Sequence, residues 1–120
     1  MNKSKTIFCD LDGTLIKHSG NPCLTTRLDY EMEVLPGTYT KLREWDSKGY
    51  YIILTTGRKE SMREATENQL QRAGIFYDQL VMGFGGANRY IINDRKLDRE
   101  EDTAFAINIE RNKGIENVEI

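Results

Sequence analysis

The chain predicts an α/β fold built on an open, mostly parallel sheet. Short apolar runs alternate with amphipathic stretches in the order strand, helix, strand, helix, strand, followed by two more apolar runs with short links. The runs lack the strict in-and-out alternation of a half-solvated sheet, so strands covered on both faces are expected. Acidic, hydroxyl and glycine residues cluster just past the carboxyl ends of three runs, which is where open α/β sheets bind their ligands.

Thr6–Asp10 is the first apolar run, bounded by Asp and Gly, and reads as a buried strand. Residues 13–35 are rich in Gly, Asn, Thr and charge; they read as a loop or small hairpin, a polar flap over the site. After Pro36-Gly37, residues Tyr39, Leu42 and Trp45 recur at helical spacing until Gly49, so Tyr39 and Trp45 are expected on a core-facing helix. Tyr50–Thr55 (YYIILT) is a second strand. Lys59–Ala73 reads as a second helix with Met62, Ala65, Gln69, Leu70 and Ala73 on one face and Gly74 as its stop. Leu80–Met82, Arg89–Asn93 and Ala104–Ile109 complete five strands, and no element is assigned to 113–120.

The 120 residues suit one domain, with 38% hydrophobic and 30% charged residues giving a modest core. No apolar stretch reaches the roughly 20 residues of a membrane span, and the start of the chain lacks a signal-peptide pattern, so a cytoplasmic location is expected. The net charge of −2 is scattered, without the basic stripe that nucleic acid or a membrane surface would require; neither is an expected partner. Cys9 lies within an apolar run, a cytosolic disulfide with Cys23 is not expected, and two cysteines with the single histidine, His18, make a poor zinc set.

Asp10 and Asp12, two residues apart at a strand end, are able to point to one side, and Gly13 then permits a sharp turn. Asp94 ends a later apolar strand. A lone Asp usually caps a helix or shapes a turn. Three at the ends of neighbouring strands would instead form an acidic cluster that calls for a hard cation, and Mg²⁺ fits carboxylate oxygens.

Asp10-Leu11-Asp12-Gly13-Thr14-Leu15 resembles the first motif of the haloacid dehalogenase superfamily. Thr56 with Gly57-Arg58 resembles its second motif, and Asp94 with Asp98 its acidic fourth. The resemblance implies a Rossmann-like five-stranded sheet in the order 5-4-1-2-3, with helices on both faces and Asp10, Thr56 and Asp94 side by side. It implies an Mg²⁺-dependent phosphatase in which Asp10 is the nucleophile and Asp12 the general acid and base. Metal ligands would come from Asp10, the Asp12 carbonyl and Asp94; phosphate contacts would come from Leu11, Thr56 and Gly57. The third motif, a cation touching nucleophile and phosphate, has no lysine in the expected loop, MGFGGAN. Arg89, Lys96 and Arg58 are the alternatives, with contact to the leaving group a further role open to Arg58; for any one of them taken alone, a surface salt bridge is the commoner role.

Between residues 14 and 35 there are about 22 residues, too few for a cap domain. A capless site favours either a large substrate or a homo-oligomer that shields it. The short layout and the TTGR and INDRK segments also resemble phosphatases of bacterial surface-polysaccharide synthesis, which implies a sugar-phosphate substrate. Other readings are a phosphatase of a macromolecule, a catalytically dead binding module, and a signalling receiver; Thr55-Thr56 where a receiver needs its mid-chain Asp argues against the last.

Overall fold

The computed structural model describes residues 4–21, 25, 27 and 29–120. Cys23 lies outside them. Three parallel strands form the sheet: β1 (Thr6–Asp10), β2 (Tyr51–Thr55) and β3 (Gln79–Val81), in the order β1-β2-β3. Helix α1 (Thr38–Ser47) connects the first pair, and α2 (Arg63–Ala73), entered through a 3₁₀ turn at Glu60–Met62, connects the second.

Two crossovers stepping in the same direction, each right-handed, put both helices on one face of the sheet. Burial agrees. Ile7, Cys9, Ile52, Leu54 and Leu80 alternate into a core with Leu42, Trp45 and Leu70 from the helices. Fully burying one such side chain contributes about 1.5–3 kcal/mol, so this layer dominates the stability of the fold. The opposite sheet face is open: Phe8 is 59% exposed, Tyr51 56% and Val81 41%. The expectation of helices on both faces is therefore corrected. Covering the second face requires the chain to reverse its direction of travel across the sheet, and in this structure it does not.

The expected five strands in the order 5-4-1-2-3 are likewise not formed among the described residues, and β1 lies at an edge rather than at the centre. The expected fourth and fifth strands, Arg89–Asn93 and Ala104–Ile109, form no strand, and the chain from 83 to 103 is exposed or nearly so throughout. This segment forms an arm with a turn at its tip, where the Arg99 N–H donates to the Lys96 carbonyl. Its sequence is strand-like, but among the described residues no backbone ladder pairs it with another strand.

Residues 13–35 are less polar in practice than in composition. Leu15 and Ile16 are fully buried, and Met32 and Leu35 nearly so. The Lys17 N–H donates to the Glu33 carbonyl and the Leu35 N–H to the Leu15 carbonyl, clamping both ends of the segment as a short hairpin. A freely moving flap is thus not what the anchored ends describe. Tyr39 is 41% exposed, its hydroxyl donating to the Ala73 carbonyl, whereas Trp45 is core as expected. The tail lacked a sequence signal, yet it packs. Ile115 is buried, its N–H donates to the Pro36 carbonyl, and the Asn112 N–H donates to the Gly13 carbonyl.

Candidate active site

The carboxyl end of β1 carries Asp10, and the chain then turns at once. Gly13 makes this possible: its φ of 91° lies in the left-handed region, and its N–H donates to the Ile16 carbonyl at 2.7 Å. The fold-back buries Leu11 completely and leaves Asp12 partly exposed at the sheet end. Thr14 Oγ1 donates to Asp10 Oδ2 at 3.1 Å. Burial pushes the Asp10 carboxyl above its ordinary value; the Thr14 hydrogen bond and the charge of Arg89 hold it down, and the neighbouring charge of Asp12 adds to the rise.

β2 ends beside it, in register, Asp10 opposite Thr55. Thr56 is fully buried and its Oγ1 donates to Asp12 Oδ2 at 3.0 Å. The same oxygen accepts the Arg58 N–H at 3.1 Å, so the second strand end is locked by its own hydroxyl. Gly57 is there for space. A Cβ at this position would stand 2.6 Å from the Gly85 carbonyl oxygen.

Arg58 is the centre of the site's electrostatics. Its guanidinium is almost completely buried and grips Asp12 with two bonds, Nε to Oδ2 at 3.1 Å and Nη2 to Oδ1 at 2.9 Å. Nη1 donates to Thr66 Oγ1 at 3.1 Å and to Gln69 Oε1 at 2.9 Å, both on α2. The fork geometry of arginine is what allows one group to tie the β1 end to a helix. The sequence offers Arg58 as a cation for phosphate, a contact to the leaving group or a surface salt bridge; its buried pairing with Asp12 is not among these, although Thr66 and Gln69 as polar residues on the buried face of α2 are the signal that something buried needs them.

Asp10, Asp12, Leu11, Thr56 and Gly57 thus lie at one sheet end, the Leu11 N–H donating to the Thr55 carbonyl. Arg89 reaches Asp10 by charge from the base of the arm, where it also stacks on Phe84, 4.7 Å from the ring centroid. Lys96 and Asp94 do not join them. Lys96 is exposed near the arm's tip, and the Asp94 carbonyl is bonded by Thr103 Oγ1 further along the arm. Among the described residues no three acidic, histidine or cysteine side chains gather as a metal site. Asp94 as the third ligand within one chain is therefore corrected: it depends on the fourth strand lying beside β1, and that pairing is not made. Arg111 was also missed. Its Cγ would lie 3.3 Å from a Cβ built at Gly13, so a cation from the tail stands over the turn. His18 keeps its modest reading, its Nδ1 accepting the Gly20 N–H. Cys9, one residue before Asp10, is buried as a free thiol pushed up to about 12, first by burial and then by the charge of Asp10.

Residues 7–108 match the haloacid dehalogenase-like hydrolase family. The chain belongs to that family. Its α/β fold with a parallel sheet is the family's in outline. Among solved structures, a chain of the Pnkp1/Rnl/Hen1 complex is 30% identical with a TM-score of 0.56, over 72% of this chain and 30% of that one. A chain of the Pnkp1/Rnl/Hen1 RNA repair complex is also 30% identical with a TM-score of 0.54, over 79% of this chain and 28% of that one. This haloacid dehalogenase-like chain therefore spans less than a third of the length of those chains. An MCSG target from Vibrio cholerae, 21% identical with a TM-score of 0.53 over 78% of this chain and 82% of that one, shares the fold. No curated protein matches the chain.

Proposed function

We propose that this family member is a magnesium-dependent phosphatase that hydrolyses a phosphate monoester, with a phosphosugar as its substrate. The observation that supports this most is the meeting of Asp10, Asp12 and Thr56 at one strand end, with Thr56 Oγ1 3.0 Å from the Asp12 carboxylate. A carboxylate penalised by burial next to a second carboxylate favours a hard cation, and Mg²⁺ needs only one or two carboxylates while it keeps waters and a substrate oxygen. The Asp10 carboxylate and the Asp12 carbonyl would hold it. When bound, it supplies charge neutralisation at the phosphoryl oxygens.

In the reaction, an Asp10 oxygen attacks phosphorus as the bond to the leaving oxygen breaks, giving an aspartyl-phosphate. Protonated Asp12 gives its proton to the leaving oxygen. Ionised Asp12 then takes a proton from a water that attacks the same phosphorus, releasing inorganic phosphate and the Asp10 carboxylate. The Gly57 backbone N–H and the Thr56 hydroxyl, turned from Asp12, hold phosphoryl oxygens, and Arg89 supplies the cation near the nucleophile; the Leu11 N–H is taken by the Thr55 carbonyl and is not free for phosphate. Arg58 and Thr56 hold the Asp12 side chain in the orientation from which it turns toward the leaving group.

A second reading takes the phosphate at the end of a polynucleotide as substrate. It rests on the 30% identity with chains of an RNA repair complex. The test is release of inorganic phosphate, with Mg²⁺ and with EDTA, from a panel of sugar phosphates, nucleotides and 5′- and 3′-phosphorylated oligonucleotides. Faster turnover of a sugar phosphate supports the first reading and of an oligonucleotide end the second. Absence of turnover on the whole panel with Mg²⁺ overturns both.

A further inference from the structure

Two features of this chain are unpartnered, and they match one another. The first is the free edge of β1. Tyr51 N–H donates to the Lys5 carbonyl and Leu11 N–H to the Thr55 carbonyl, so the odd-numbered residues of β1 pair with β2. The backbone groups of Thr6, Phe8 and Asp10 consequently face the other side, where the structure places no strand. An unblunted edge of this kind is a template for an added strand, and the exposed Phe8 beside it favours apolar cover.

The second feature is the arm. Tyr90 is 87% exposed, Ile92 98%, Leu97 fully and Phe105 77%. Apolar, β-branched and aromatic residues at such exposure are unusual in a monomer. From 87 to 109 the only backbone-to-backbone hydrogen bond among the described residues is the one at the tip. Both ends of the arm are fastened near the site, through the Gly83 N–H to the Arg58 carbonyl and the Asn112 N–H to the Gly13 carbonyl. Between them its two limbs hold each other rather than the domain: Asn93 Nδ2 donates to Thr103 Oγ1 at 2.7 Å, and Arg95 Nη2 bonds Asp102 at 2.9 Å. The molecule is correspondingly long, 50 Å against 28 and 25 Å, with a radius of gyration of 15.2 Å where a compact domain of this length would have about 14 Å.

We propose that the arm of one chain adds to the free β1 edge of a second copy, and reciprocally, in a strand-exchanged homodimer whose two active sites are each composite. The lengths fit. Arg89–Asn93 has five residues, as does β1. Laid parallel and in register with Thr6–Asp10, it ends with Asn93 opposite Asp10 and carries Asp94 to the sheet end where Asp10 and Asp12 stand. Each site then holds its own Asp10, Asp12, Thr56 and Arg89 together with Asp94 of the partner subunit, which supplies the third carboxylate that one chain does not assemble. The exchange is reciprocal, each arm lying on the β1 edge of the other chain, so it is isologous and closes at two. The composite site rests on the phosphatase reading; the exchange itself does not.

The experiment separates the two. Light scattering on the purified chain at micromolar concentration reads a mass of twice 13.9 kDa if the arms are exchanged, and a mass of 13.9 kDa overturns the proposal. Ile92→Asp alters a side chain with no packing to lose in a monomer, so the variant stays folded by circular dichroism and runs as a monomer; a dimer of unchanged affinity overturns the exchange. Asp10→Asn and Asp94→Asn are then each assayed alone, and after unfolding and refolding as an equal mixture, with p-nitrophenyl phosphate and Mg²⁺. Each alone is inactive. The mixture recovers about one quarter of wild-type activity, since half the dimers are mixed and each has one intact site. Active wild type with no recovery in the mixture overturns the composite site. Inactive wild type that is dimeric, and is made monomeric by Ile92→Asp, overturns the phosphatase reading and leaves the exchange standing.

Discussion

Replacing Arg58 by Met keeps the aliphatic stem and removes the guanidinium, so the consequence is readable from its four side-chain bonds. Asp12 loses both of its close Arg contacts, at 3.1 and 2.9 Å, while its side chain remains only 20% exposed. Removing one member of a buried pair costs about 3–5 kcal/mol, and the partial exposure of Asp12, which allows some rehydration, puts this case at about 3. Gln69 Oε1, on a residue 1% exposed, loses its donor, adding about 1–2 kcal/mol. The total of about 4–5 kcal/mol is a large share of a small domain's stability and lowers Tm by about 15–25 °C. Lysine in place of Arg58 keeps the charge but cannot reach Asp12 and α2 together, and half that loss or less is expected. The assay is thermal and urea unfolding of wild type, R58M, R58K, D12N and the R58M/D12N double variant. The double variant should fall short of the summed single losses by more than about 1.5 kcal/mol, because the second change removes a charge already stranded by the first. An R58M protein melting within about 3 °C of wild type, or strict additivity in the cycle, would refute the view that this pair ties β1 to α2.

Asp10→Asn abolishes turnover yet raises Tm in metal-free buffer at pH 7. The native carboxyl is raised from 3.8 by burial, so its contribution to stability declines as pH climbs from the unfolded value through the folded one, and the neutral amide removes that loss; a lower Tm for the variant would contradict it. Thr56→Ala leaves Asp12 without its 3.0 Å hydroxyl bond and the Arg58 N–H without an acceptor, and should cost about 1–3 kcal/mol along with a raised KM for the phosphate ester, measured by urea unfolding and steady-state kinetics. Cys9, with its thiol pushed up to about 12, resists iodoacetamide at pH 8 in a Cys23→Ser protein until the fold is opened with urea; because the native thiol holds its proton beyond the ordinary 9.0, stability from this group is intact below pH 9 and is lost as pH rises toward 12.

The part of the fold legible in the sequence is the part whose partners are close in the chain. β1, α1, β2, α2 and β3 follow one another through short links, and each carries its own period and its own stop, Gly49 after α1 and Gly74 after α2. The site residues Asp10, Asp12 and Thr56 were legible for the same reason, as they stand at the ends of strands that pair directly. What the sequence does not encode locally is where an extended segment goes. Arg89–Asn93 has every residue-level mark of a strand, but strand pairing is a relation between two segments, and here the neighbour is missing from the chain's own sheet. The Arg58 network was hidden differently: its acceptors lie 8 and 11 residues downstream on a helix face, where Thr66 and Gln69 look like ordinary polar positions until the helix is laid against the strand end. The tail was illegible because Asn112 and Ile115 act through backbone contacts to the Gly13 turn and Pro36, which leave little trace in composition.

The direction in which the chain crosses the sheet links architecture to chemistry. Two right-handed crossovers that step the same way use up one face and build outward from β1, so the strand bearing Asp10 has a bare edge among the described residues. The phosphatase mechanism proposed above needs groups on both sides of that strand. β2 brings Thr56, Gly57 and Arg58 to one side, and within a single chain the other side receives only Arg89, from the base of the arm. The acidic Asp94 cannot arrive there without a strand beside β1, because a side chain on the exposed arm has nothing to fix it within the fraction of an ångström that catalysis requires. A strand on the β1 edge would therefore do two things at once: flank the exposed Phe8 and, on the proposed mechanism, set the third carboxylate. Stability of the edge and completeness of the site should consequently be lost together, and a substitution such as Phe8→Asp, remote from phosphate, should lower kcat without altering Asp10, Asp12 or Thr56.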